Sequence, residues 1–258
     1  MLAIYRARPV SDTAGPGAYA IKTLASQPSD FGLALALLRR EAAVAAEVSH
    51  PHLVTVLAAR LAVPRPYLVL PYLEGVTLRR RLETPPLPVA TALWIVRQVA
   101  EALTALHAAG WLHGQVRPEH VDVSPQGHAT LIDLTEARRA RTAECDSGDF
   151  PRLVAAYAAP EAFSLRGRLT AASDTYALGI VLYEALAGRP PFAAADPRQL
   201  AAMQLRVAPP NIRQLRPVAS LEIGELLHRM LAKEPLRRPS DDQLVRWLAE
   251  LEIEELAS

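Results

Sequence analysis

With 258 residues, half of them hydrophobic and 21% charged, the chain has apolar material for one large or two modest cores, which excludes disorder, collagen and a disulfide-stapled miniature. Its 28 Lys+Arg nearly cancel its 27 Asp+Glu, so no chain-wide field draws it to nucleic acid or to an acidic membrane. The single cysteine, Cys145, cannot form an intramolecular disulfide, which fits a reducing compartment and makes the cytoplasm the default location.

In chain order, the β-like runs Ala3–Ala7 and Ala18–Leu24 flank the turn-rich segment 12–17, a pattern that predicts a hairpin. Leucines and alanines at helical spacing predict a helix from Phe31 to Val48, ending before Ser49-His50-Pro51, where proline turns the preceding residue away from helix. Apolar strands are expected at Leu53–Ala59 and Tyr67–Leu70, after which Pro71-Tyr72-Leu73-Glu74-Gly75 breaks the pattern. Beyond it come a short amphipathic segment at 76–83 and a long helix from about Val89 to Ala109, stopped by Gly110.

Two short strands around a Ser124-Pro125-Gln126-Gly127 turn are expected within 111–134, and an irregular polar stretch spans 135–158. The remainder reads as helices, closing with an amphipathic one from Asp241 to Leu256. The signal-peptide pattern is missing at the start, and neither 91–109 nor 176–188 reaches the roughly 20 apolar residues of a membrane helix. Only Lys22 and Lys233 are lysines; every other basic residue is arginine, so a lysine here has the look of a chosen point charge.

A strand-rich lobe with one helix at 1–73, joined to a helical lobe at 74–258, gives an α+β, two-lobed architecture. The motifs Ala20-Ile21-Lys22, Glu41, His113-Gly114-Gln115-Val116-Arg117-Pro118-Glu119-His120, Asp133-Leu134-Thr135, Ala159-Pro160-Glu161, Ser173-Asp174 and Arg238-Pro239 follow in order. On these residues the chain resembles a bacterial-type Ser/Thr protein kinase domain. The resemblance implies that Lys22, paired with Glu41, holds phosphates of ATP and that Asp133 holds Mg²⁺. Lys22 and Glu41 read equally well as an ion pair kept by the fold. The resemblance places Ile4, Ala20, Leu73, Asp122 and His120 around the nucleotide. It also makes Glu161–Arg238 a buried ion pair, and Asp174 a cap on the backbone of the 111–115 loop.

The departures bear on chemistry. Gln115 stands where the resemblance calls for the proton-accepting aspartate, and an amide takes up no proton near neutral pH. Arg117 replaces the loop lysine, and His120 replaces the asparagine that would bind a second Mg²⁺, a hard cation that prefers oxygen. Thr135 replaces a glycine, Gly114 an arginine that would receive a phosphate from Thr142 or Ser147, and Val154 a threonine. No G-x-G-x-x-G precedes Lys22 in these residues, and Asp122 sets a carboxylate at the floor of the adenine site.

The expectation is therefore a catalytically impaired pseudokinase, a regulatory or scaffold module for protein partners, with no high-affinity cofactor. The alternative is a divergent active Ser/Thr kinase using ATP and one Mg²⁺ on Asp133. His50, His52, His107, His128 and His228 lack a zinc-like spacing with cysteine or carboxylate partners, and Arg79-Arg80-Arg81 and Arg138-Arg139 with Arg141 read as solvated faces.

Overall fold

A computed structural model describes residues 1–11, 17–25, 30–84, 86–140, 155–164 and 167–257. Strands β1 (Leu2–Ala7) and β2 (Tyr19–Leu24) pair antiparallel in the register Ile4↔Lys22 and Arg6↔Ala20. Helix α1 (Phe31–Glu47) starts where Asp30 accepts a hydrogen bond from the Leu33 N–H at 2.9 Å. Its buried face carries Ala34, Leu37, Leu38 and Val44, and Glu41 lies among them because it shares their helical spacing. Strands β3 (Ala58–Arg60) and β4 (Tyr67–Pro71) complete a four-stranded sheet in the order β1-β2-β4-β3.

The strand expected at Leu53–Ala59 is shortened to β3. The backbone of His52 to Val54 bonds instead to Leu131, with Leu131 N–H donating to His52 O at 2.8 Å and Val54 N–H to Leu131 O at 2.9 Å. A buried backbone must find partners somewhere, and here they come from a strand far along the chain.

Strand β5 (Val76–Thr77) leads directly into α2 (Leu78–Arg81), and α3 (Val89–Ala108) ends ahead of Gly110, whose φ is +76°. The expectation that no stretch is membrane-like is corrected by α3, whose 20 residues meet the length and apolarity of a membrane span. Within the fold its apolar residues pack against other helices, and 61% of that stretch is buried. Strand β6 (Trp111–Leu112) follows, then a 3₁₀ turn at Pro118–His120, β7 (Val121–Val123) and β8 (Ala129–Leu131). These give a second sheet ordered β5-β7-β8, while β9 (Arg138–Arg139), inside the stretch expected to be irregular, pairs with β6. Thr142, Ser147 and Val154 lie outside the described residues.

Helix α4 (Ala171–Ala187) is the hub of the helical part. A reciprocal Thr170–Ser173 capping box opens it, and nearly every residue from Ser173 to Leu186 is buried. A helix apolar on all sides must be surrounded, and α3, α7 and α6 pack around it. The last helices are α5 (Pro197–Arg206), α6 (Ile212–Leu215), α7 (Leu221–Met230) and α8 (Asp241–Ala257), with α8 lying along α3. Fully buried Tyr176, Tyr183 and Phe192 anchor this core, each aromatic contributing roughly 1.5–3 kcal/mol by burial. The apolar cluster runs without a break from Leu38 of α1 and Leu68 of the sheet to Leu178 and Leu248 of the later helices.

Candidate functional site

Between the four-stranded sheet and the helical part lies a cleft of ≈ 470 Å³. Its walls include Ile4, Ala20, Val54, Leu70, Leu73 and Ile132, and its polar groups include Lys22, Glu41, His120, Asp122 and Asp133. All eight residues expected to bind cofactor or metal line this one cleft. Gln115 and Arg117 do not: they border a separate small cavity of ≈ 30 Å³ with Tyr157 and Thr170.

The inner end of the cleft is an ionic cluster. Lys22 Nζ lies 2.7 Å from Glu41 Oε2 and donates to Asp133 Oδ1 at 2.9 Å, so one ammonium bridges two carboxylates from α1 and the β8 exit. Burial alone would lower the pKa of Lys22, but Glu41 and Asp133 outweigh it and raise the value, and the amine stays charged. Asp133 is the only non-glycine with positive φ among the described residues, at 67°, a conformation that costs of order 1–3 kcal/mol and turns its carboxylate toward Lys22. Thr135 Oγ1 donates to the same Oδ1 at 2.7 Å. Although burial works against it, the carboxyl is held below the usual carboxylate range by Lys22, His120 and the Thr135 hydroxyl.

His120 is locked by its neighbours. Its Nδ1 faces Gln115 O at 2.9 Å and carries the ring proton, while Nε2 accepts from Arg117 Nη2 at 2.9 Å and Nε at 3.1 Å. Burial, chiefly, pushes its pKa down to about 4, with the Arg117 and His113 charges adding to it and Asp133 opposing. The ring is therefore neutral at pH 7, with its lone pair committed to an arginine. Its Nε2 sits 3.3 Å from Asp133 Oδ2, the oxygen a cation on Asp133 would use.

The Mg²⁺ pair implied by the resemblance does not fit this donor set. A hard cation seeks several oxygens, and here a spoken-for nitrogen stands beside one carboxylate. Among the described residues no three His, Cys, Asp or Glu side chains are grouped to hold a metal. The phosphate end fits better, since Lys22 is oriented and charged.

Asp122 reaches the cleft because Val121 and Val123, on either side of it in β7, are fully buried in the core, and strand alternation sends the middle residue the other way. It is 9% exposed and accepts no hydrogen bond among the described residues. Burial raises its pKa, and Arg81 opposes this only in part. Gly75 makes the room: a Cβ there would lie 2.1 Å from Asp122 Oδ1.

Below the cleft the framework residues meet as expected. Asp174 accepts from the N–H groups of His113 at 2.8 Å and Gly114 at 2.9 Å, which fixes the loop where Gly114 turns at φ +78°. Arg238 grips Glu161 with two parallel bonds of 2.7 and 2.9 Å, and Ser173 Oγ donates to Glu161 Oε1 at 2.6 Å. His113 and Leu134 are fully buried against each other's loops, with His113 Nε2 on Ile132 O at 3.2 Å.

Several residues escaped the sequence reading. His107 bridges Asp174 and Asp241 at 2.9 and 3.0 Å, and although burial lowers its pKa, those two carboxylates lift it to about 9. Arg79 is not on a solvated face: Nε binds Glu119 and Nη1 binds Glu184, both at 2.7 Å, and Nη2 reaches Tyr157. Arg139 is exposed, as expected, and there it stacks 4.0 Å from the Trp111 ring centroid and pairs with Glu47 at 2.5 Å. The sequence carries no local signal for these partners, which lie 28 to 134 residues away. Only the hydroxyl of Thr135, two residues from Asp133, could have been weighed from the motif itself.

Residues 10–248 match the family model for the protein kinase domain. Among similar proteins, the Ser/Thr protein kinase PknB of Mycobacterium leprae is 35% identical over 211 residues, covering 78% of this chain and 33% of the relative. PknD of Mycobacterium tuberculosis is 32% identical over 231 residues, 89% of this chain and 34% of the relative. A probable Ser/Thr protein kinase of Bifidobacterium longum, pknA2, is 28% identical over 222 residues, 84% of this chain and 29% of the relative. The chain thus spans about a third of the length of these curated relatives.

Proposed function

Because the chain belongs to the protein kinase domain family, we propose that it is a catalytically impaired member of it, serving as a regulatory or scaffold module for protein partners in signalling. The observation that carries this reading is the state of His120, which is neutral and bonded to Arg117 where a second metal-binding oxygen is needed. Gln115 adds to it, since its amide gives a substrate hydroxyl no place to leave its proton. Asp122 adds a third obstacle: seating an aromatic base on a desolvated carboxylate costs several kcal/mol that nucleotide binding has to overcome.

In this reading the intact cluster of Lys22, Glu41 and Asp133 sets the distance between α1 and the loop after β8 and so fixes the surface offered to a partner. One observation favours a second reading, an active Ser/Thr kinase working slowly with ATP and one Mg²⁺. It is the same cluster, which keeps a charged amine aimed into the cleft. Phosphoryl transfer leans mostly on positioning and electrostatics, so loss of a base lowers the rate without abolishing it.

Thermal unfolding with about 1 mM ATP, with and without Mg²⁺, separates the two. A dissociation constant of about 0.1 mM would add ~1.4 kcal/mol and raise the midpoint by a few degrees. The expected result is no shift in either condition. A shift that disappears in Lys22→Ala overturns the impaired reading of the nucleotide site.

A further inference from the structure

The two lysines of this chain are held in opposite ways. Lys22 is 5% exposed and bound to two carboxylates. Lys233, between α7 and the 3₁₀ turn Pro235–Arg237, has no carboxylate within ion-pairing distance among the described residues. Its Nζ donates to Tyr176 OH at 3.1 Å and lies 4.4 Å from the Phe192 ring centroid and 5.5 Å from that of Tyr176. Tyr176 in turn donates its own proton to Gln204 Oε1 at 2.6 Å, so it offers the lysine a lone pair and no negative charge.

Of the acids around it, Glu161 is engaged by Arg238, whose side chain is completely buried, while Glu234 and Glu225, on the same groove as Lys233, pair with Arg237 and Arg229. Burial, with the positive charge of Arg238 added, pushes the Lys233 amine down to about 8. Lys233 also lines a groove of ≈ 1230 Å³ together with Trp247 and Arg246, and Arg246 makes no ion pair among the described residues.

We infer that Lys233 is an acyl-acceptor site, taking the acyl group of a small acyl phosphate that enters this groove. The neutral amine attacks the acyl carbonyl carbon, an N–C bond forms and the C–O bond to phosphate breaks. Phosphate leaves with the bonding pair, and the surplus proton on nitrogen passes to water in the groove. No oxidant, reductant or further co-reactant is required. The class of donor follows from the surroundings: basic side chains outnumber acidic ones on the groove, with Arg229, Arg237, Arg238 and Arg246 beside Lys233 against Glu225, Glu234 and Glu250, a balance that favours an anionic leaving group. This inference is independent of whether the cleft binds nucleotide, because the groove lies on α7, α8 and their connection.

Acetyl phosphate is the probe. The folded chain is incubated with it at about pH 7.5 and sampled over time by peptide mass mapping, beside the same chain unfolded in guanidinium. Each unit of pKa depression raises the neutral fraction about tenfold, so Lys233 is expected to acetylate at least about tenfold faster folded than unfolded, with Lys22 unmodified in the folded chain. Equal rates in the two states, labelling of Lys22 ahead of Lys233, or a label at this segment that survives Lys233→Arg overturns the inference.

Discussion

Two buried charge clusters flank the His113–Gln115 loop, and they are completed to different degrees. In the lower one, Asp174 is met by two backbone N–H groups and His107, and Glu161 is met by both arms of Arg238 and by Ser173. In the upper one, Lys22 pairs with Glu41 and Asp133, though burial still raises the Glu41 pKa, and an arginine-bound histidine and an Asp122 carboxylate that accepts no hydrogen bond among the described residues fill the remaining stations. The contrast teaches where the physics is unforgiving. Both clusters lie largely out of water, yet the lower one leaves no charge without its partner, whereas at the upper one the molecule still folds with the Asp122 carboxylate unmatched.

The sharpest way to break that comparison is to delete half of the lower cluster. Arg238 is completely buried at its side chain and Glu161 nearly so. Arg238→Ala is expected to cost ~3–5 kcal/mol in a urea titration. A loss under about 1 kcal/mol would rank the pair with surface salt bridges and remove the asymmetry.

The next largest effect is a pH dependence. His107 titrates near 9 in the fold, facing Asp174, Asp241 and the neighbouring His113, against about 6.5 when unfolded. Because the folded pKa is the higher one, its contribution is complete below about pH 6.5 and fades as pH rises through 9, on the order of 2–3 kcal/mol in all. The thermal midpoint of the native chain should fall across that window, and His107→Gln should flatten the slope. Parallel slopes in the two proteins would contradict this assignment.

Smaller effects sharpen the picture of the cleft. Asp122→Leu replaces a desolvated carboxylate by an apolar side chain and is expected to stabilise the fold by ~1–2 kcal/mol and to give a measurable ATP affinity. Lower stability with no gain in binding would show that the carboxylate has a partner the geometry does not reveal. Thr135→Val removes the hydroxyl donated to Asp133 and should cost about 1 kcal/mol, visible as a lower urea midpoint at unchanged slope. An unchanged midpoint would mean that Lys22 alone holds Asp133.

Most of the architecture was legible because periodicity and motif order are local. The helix at 31–47, the turn at 124–127, the Asp174 cap and the Glu161–Arg238 pair were all expected, as was the gathering of Lys22, Glu41, Asp122 and Asp133 in one cleft. What stayed hidden was partner choice over long separations. Nothing near His107 announces Asp241, 134 residues away, and nothing in Arg79-Arg80-Arg81 tells which arginine turns inward to Glu119 and Glu184. The strand at Leu53 was overread for a related reason, since an apolar run does not disclose that its backbone will pair with Leu131.

The central claim, that the cleft has lost the groups needed to move a phosphoryl group, is tested most directly by incubating the folded chain with γ-labelled ATP, Mg²⁺ and a generic protein substrate, beside Asp133→Asn. The account predicts incorporation no greater than in the Asp133→Asn control. Label transferred by the native chain and absent from the variant would contradict it.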